Sequence, residues 1–138
     1  MNIYVGPSQI HDRGILAKKT FYPGEVIEIC PVLVIPKEEV ANIDGTMLYD
    51  YYFTWDEGAA GICLGLGSLY NHSYKPNAEY TKKFEDRTIC IVCLKQIRQG
   101  EEITVNYNGD SKSQNRVWFD KEENGNTVEV EEGAVRSR

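Results

Sequence analysis

The sequence predicts a mostly β domain of the α+β class. Three observations lead there. β-branched and apolar residues gather in short runs, as in Thr88-Ile89-Cys90-Ile91-Val92-Cys93-Leu94. Turn-forming residues such as Pro23-Gly24 separate these runs. Only Pro36-Lys37-Glu38-Glu39-Val40 opens like a helix.

In chain order, Gly24-Glu25-Val26-Ile27-Glu28-Ile29-Cys30 reads as a strand launched by the Pro23-Gly24 turn. It continues into Val32-Leu33-Val34-Ile35. Pro31 has no amide hydrogen to donate, so it argues for an edge position or a bulge between the two parts. The helix starting at Pro36 carries Glu38 and Glu39 at its positive end, and Gly45 ends it. Residues 78–84 and 88–94 are joined by Glu85-Asp86-Arg87 and predict a hairpin. Residues 19–27 and 95–103 echo each other, each with an apolar residue, a glycine turn, a glutamate and a strand. The echo is too short for a solenoid repeat and reads as two similar turns. From Asp120 the chain becomes acidic and poor in large apolar residues. Residues 120–138 are expected to be a loosely held tail, in which Val128-Glu129-Val130 can add an edge strand.

The 138 residues are one domain's worth and can hide roughly two thirds of their unfolded surface. Hydrophobic residues are 41% and charged residues 26%, the balance of a soluble globular protein. No apolar run reaches the roughly 18 residues of a membrane helix, and no secretion signal opens the chain. A soluble intracellular location, cytoplasmic or nuclear, is expected. The net charge of −6 disfavours direct nucleic-acid binding and suits a basic, lysine-containing protein or peptide. Cys90 and Cys93 are spaced as C-x-x-C, but on a strand they point to opposite faces and cannot grip one metal. Cys30, Cys63, Cys90 and Cys93 are therefore read as buried apolar residues, with no zinc site.

Two segments carry the chemistry. Asn71-His72-Ser73-Tyr74-Lys75-Pro76-Asn77 reads N-H-S-x-x-P-N, and Gly100-Glu101-Glu102-Ile103-Thr104-Val105-Asn106-Tyr107 reads G-E-E-I-T-x-x-Y. In this order they resemble the two signature motifs of the SET domain, whose members transfer methyl groups from S-adenosyl-L-methionine to protein lysines. The resemblance runs from about Ile3 to Phe119, so residues 1–119 are taken as the domain. It implies a β-clip-like fold of several small sheets, in which the segment bearing Tyr107 threads beside the Asn71 loop as a C-terminal pseudoknot.

The resemblance also assigns roles. Asn71 holds the methionine end of the cofactor, and His72 contributes near the adenine. Tyr107 sits at the bottom of the lysine channel, orients the amine and touches the transferring methyl. Within Tyr49-Asp50-Tyr51-Tyr52-Phe53-Thr54-Trp55, Tyr51 lines that channel and shares the catalytic role, with Tyr52 as the alternative. Backbone groups of Arg13, Gly14 and Ile15 line the cofactor.

Three positions depart from the family pattern. Asp12 replaces the first loop glycine, Ser68 an arginine, and Tyr74 a cysteine that joins a zinc cluster in many members. No cysteine follows Cys93. Val117-Trp118-Phe119 is then the expected cap of the channel, with Trp118 against the cofactor. Compact relatives of this kind include dimers, so a homodimer is among the expectations. The competing expectations are a SET-like module that binds a basic partner without catalysis, and transfer to another side chain such as histidine.

Overall fold

The computed structural model describes residues 1–117. Among these residues nine strands form two sheets: β1 Ile3–Pro7, β2 Arg13–Ala17, β3 Val26–Ile35, β4 Phe53–Thr54, β5 Ala60–Cys63, β6 Asn71–His72, β7 Ala78–Lys83, β8 Thr88–Cys93 and β9 Glu102–Val105. One sheet has the order β1-β2-β9-β6, the other β4-β5-β3-β8-β7. The expected mostly β architecture is therefore the one observed. Among the described residues a single α-helix, α1, spans Lys37–Asp44, with Pro36 at its N-cap, two acids in its first turn and Gly45 at its C-cap.

Strand β3 is central, which corrects the edge position expected for Pro31. Residues 26–31 pair with β8, and residues 32–35 pair with β5. Pro31 stands where the strand changes partner. Its carbonyl accepts from Leu64, and the next amide, Val32, donates to Arg87. The missing amide hydrogen thus falls where no regular ladder bond is due. The bulge in this strand lies elsewhere, between Val26 and Glu28.

Two strands of the hairpin, β7 and β8, pair in register from Ala78 with Cys93 to Lys83 with Thr88. The first and last strands of this sheet also approach each other through side chains. Phe53 meets Tyr80 edge to face at 5.1 Å, and Trp55 meets Phe84 at 4.9 Å. The Lys82 ammonium donates to the Thr54 carbonyl.

The internal echo is one turn used twice. Gly24 and Gly100 have φ of 91° and 89°, which a side chain would resist. In each turn the following glutamate folds back: the amide of Tyr22 donates to Glu25 Oε1, and that of Arg98 to Glu101 Oε2. The two turns meet through reciprocal hydrogen bonds between Phe21 and Ile97. Glu25 also bonds Lys19 at 2.8 Å, which with the Tyr22 amide holds its carboxyl below the usual range.

All four cysteines are buried and free, as expected. Cys30 and Cys63 lie together beneath Gly67, in the loop that leads into β6. A Cβ on Gly67 would sit 2.1 Å from Cys63 Sγ and 2.8 Å from Cys30 Sγ. Gly67→Ala should therefore cost about 1–3 kcal/mol by overpacking. Urea denaturation should show that loss, and combining it with Cys63→Ala should recover part of it.

Candidate active site

Parallel pairing brings the two sequence motifs together. Asn71 pairs with Thr104 and His72 with Val105. Strand β9 lies between β2 and β6, so the late strand is threaded between an early one and a middle one. Asn77, the last residue of the first motif, fixes this arrangement. Its side chain donates to the Glu102 carbonyl at 2.8 Å and accepts from the Thr104 amide at 2.9 Å. It thereby takes the place of a strand partner for β9.

Tyr107 follows β9 and is only 6% exposed. Its hydroxyl donates to the Tyr70 carbonyl at 2.6 Å, and its amide donates to His72 Nδ1 at 3.0 Å. Its carbonyl accepts from the Tyr80 hydroxyl at 2.8 Å. Since Nδ1 of His72 accepts, the proton of the neutral ring belongs on Nε2. An open groove of about 290 Å³, lined by Tyr80, Thr81, Lys82, Asn108 and Gly109, flanks this tyrosine pair.

Asn71 is buried against the loop before β2. Its Nδ2 lies 3.0 Å from the Arg13 carbonyl, 2.8 Å from Glu102 Oε2 and 3.1 Å from Ser8 Oγ. Gly14 and Ile15 are buried in β2, with Ile15 in the core and paired to Ile103. Arg13, Gly14 and Asn71 thus gather at one loop, while His72 turns to Tyr107 and Tyr74. Asp12 occupies the left-handed region, with φ of 45°. Aspartate enters that region more readily than most residues. The residue that replaces the loop glycine keeps a glycine-like backbone.

The aromatic segment divides. Tyr51 closes the 3-10 turn Met47–Asp50 and is half-buried. Tyr52 is buried and donates its hydroxyl to Asp44 at 2.8 Å. Phe53, through Tyr80, connects the segment to Tyr107. Trp118 and Phe119, together with the tail and its Val128-Glu129-Val130, lie outside the described residues. Val117 is buried, and its amide donates to the Tyr74 hydroxyl at 3.2 Å. The Tyr74 ring meets His72 edge to face at 4.4 Å. Ser68 donates to the Cys63 carbonyl, a bond inside its own loop.

Sequence reasoning missed Ser8, Glu28, Tyr70, Tyr80 and the part played by Asn77. Glu28 accepts from the Tyr70 hydroxyl at 2.8 Å and the Leu66 amide at 3.0 Å. It pins the loop whose end supplies the carbonyl for Tyr107. Burial, then the Glu28 carboxylate, push the Tyr70 hydroxyl far above the ordinary phenol range. The Cys63 thiol, then burial, do the same to Cys30. Among the described residues no group of His, Cys, Asp or Glu is arranged to hold a metal.

The SET-domain family model matches residues 12–108. A histone-lysine N-methyltransferase of Schizosaccharomyces pombe, specific for H3 lysine-37, is 35% identical over 122 residues, covering 84% of this chain and 79% of that protein. A candidate histone methyltransferase of Plasmodium falciparum has a similar structure, with a TM-score of 0.63 and 31% identity. That match covers 77% of this chain and 92% of the other. A Polycomb Repressive Complex 2 structure from Chaetomium thermophilum, bound to an inhibitor, shares the fold at a TM-score of 0.66 and 18% identity. It covers 76% of this chain and 14% of the larger one.

Two outcomes are expected. Asp12→Gly removes left-handed strain but frees the unfolded chain, so stability should change by less than about 1 kcal/mol in urea. Tyr70 and Cys30 both have raised folded values. Their contribution is complete below their unfolded values, about 8.5 for Cys and 10 for Tyr. Above these, the unfolded chain releases protons that the folded chain retains, so stability falls as pH rises. Urea midpoints should drop from pH 8 to 11, and Tyr70→Phe should make the drop shallower.

Proposed function

The chain belongs to the SET-domain family, and on that premise we propose how its residues perform protein-lysine methylation. It is a protein-lysine methyltransferase, an enzyme rather than a recruiting module. SET methyltransferases use S-adenosyl-L-methionine and release S-adenosyl-L-homocysteine. That cofactor supplies a methyl group already activated by a positive sulfur. The protein's tasks are then to align the amine, keep it neutral and exclude water.

The residues present fit this cofactor. The Arg13 and His11 carbonyls and the Glu102 carboxylate each lie within hydrogen-bond distance of the Asn71 Nδ2. A Cβ added to Gly14 would fall 2.4 Å from Glu102 Oε2 and 2.8 Å from Asn71 Nδ2, so backbone and polar side chains form a close cradle there. Held by its nitrogen in this way, Asn71 offers an amide oxygen that suits a cationic amino-acid group. We assign Asn71, His72 and the backbone of Arg13, Gly14 and Ile15 to holding it.

The observation that carries the reading is that β6–β9 pairing places Tyr107 directly against the Asn71-His72 strand. The Tyr107 hydroxyl spends its proton on Tyr70. Toward the amine and the methyl hydrogens its oxygen then acts as an acceptor. Tyr51 is proposed as the second channel wall. The hydroxyl bond of Tyr52 to Asp44 supports Tyr51 over Tyr52 in that role. Trp118 and Phe119 complete the proposal as cap residues.

For the substrate we propose a lysine in a basic, histone-like segment, which fits the acidic charge of −6 and the names of the relatives. A nuclear location would follow. No helix among the described residues is long and apolar enough to cross a membrane. The expected homodimer is part of the same proposal, and sedimentation of the purified chain reads it directly.

A free lysine has a pKa of about 10.4. Entry into an aromatic channel beside a cation lowers it, so the methylation rate should rise toward alkaline pH. Tyr107→Phe should still fold, at a cost of about 1–3 kcal/mol for the lost bond to Tyr70, and lose about 100-fold or more in methyl transfer to histone peptides. Transfer at the wild-type rate would refute the assignment of Tyr107.

A further inference from the structure

Glu102 has a part that its motif alone does not disclose. Its two carboxylate oxygens are used separately. Oε1 accepts from Ser8 Oγ at 2.7 Å, and Oε2 lies 2.8 Å from Asn71 Nδ2. Ser8 is itself a hub. Its hydroxyl oxygen accepts from the amides of Ile10 at 2.9 Å and His11 at 3.2 Å. It thereby shapes the turn that ends in the left-handed Asp12.

These contacts settle the orientation of the Asn71 amide. Four groups surround its Nδ2: the Arg13 and His11 carbonyls, Ser8 Oγ and Glu102 Oε2. The first two only accept, and so does the carboxylate. Ser8 has given its one proton to Glu102. Turning the amide over would set Oδ1 against four oxygens, so Oδ1 must point away from the network. A carbonyl oxygen held in this way is a prepared acceptor for a cation.

We propose that Glu102 is a positioning residue for the cofactor: through Ser8 and Asn71 it fixes Asn71 Oδ1 to receive the α-ammonium group of the cofactor's amino-acid end. This rests on the cofactor reading given above. The network does more than support the fold, because it makes the protein select for an amine. The charge on Glu102 adds to that selection by favouring a cation at the end of the relay.

Calorimetry with S-adenosyl-L-homocysteine and its analogue lacking the α-amino group tests this. Wild type should bind the amine-bearing ligand about tenfold or more tightly than the analogue. Glu102→Gln presents an amide NH2 or a neutral oxygen to Asn71. Its affinity for S-adenosyl-L-homocysteine should fall about tenfold, while affinity for the analogue changes less than about threefold, so the preference collapses. Ser8→Ala should shift the ratio in the same direction by a smaller factor, and it serves if Glu102→Gln melts too low to titrate. Equal weakening of both ligands in both variants would mean that Glu102 and Ser8 only support the fold, and the inference would fail alone. Wild type that binds neither ligand would overturn the cofactor reading and this inference with it.

Discussion

The parallel pairing of Asn71-His72 with Thr104-Val105 is the contact on which the site depends. Strand β6 is only two residues long, and its neighbour in the sheet is β9. Two residues cannot hold a strand conformation by themselves. The side chain of Asn77 makes up the deficit by bonding both Glu102 and Thr104. Asn71 and Tyr107, the residues proposed for cofactor and amine, both hang from this join. Asn71 faces the N-terminal loop from one side of it, and Tyr107 turns back from the other onto Tyr70.

Beneath the join lies a second constraint, the polar cluster of Glu28, Tyr70, Cys30 and Cys63. A carboxylate here is satisfied by one phenol and one backbone amide. It makes the loop between β5 and β6 rigid at a point where no regular ladder bond is available. The departures from the family pattern fit this local logic. Tyr74 ties Val117 to the signature loop with its hydroxyl and braces His72 with its ring. Ser68 closes a bond within its own loop. Asp12 keeps the backbone shape that a glycine would have had.

What the sequence made legible was local. The hairpin of β7 and β8, the helix between Pro36 and Gly45 and the burial of the cysteines each follow from neighbouring residues. The twin turns at Gly24 and Gly100 were visible too, though not that they face each other through Phe21 and Ile97. Pro31 misled because its ladder changes partner at that residue, which no local pattern reveals. Ser8 and Glu102 are separated by 94 positions, and Tyr80 and Tyr107 by 27. Their roles arise only when the sheets close, so composition and periodicity are silent about them. The family resemblance supplied Asn71 and Tyr107 as candidates; the geometry supplied the residues that hold them.

The threading of β9 between β2 and β6 has a consequence for biosynthesis. While the ribosome is still making residues before Glu102, the emerging chain has β2 and β6 but an open slot between them. Local parts such as the hairpin can form early, since they close short loops. The slot can be filled only when β9 arrives, a long-range closure of the slow kind. A nascent chain stopped before Tyr107 therefore lacks the site as a whole, and the apolar flanks of the slot are exposed until then. Entry of β9 into the slot, rather than hairpin formation, is the moment at which this fold gains its site.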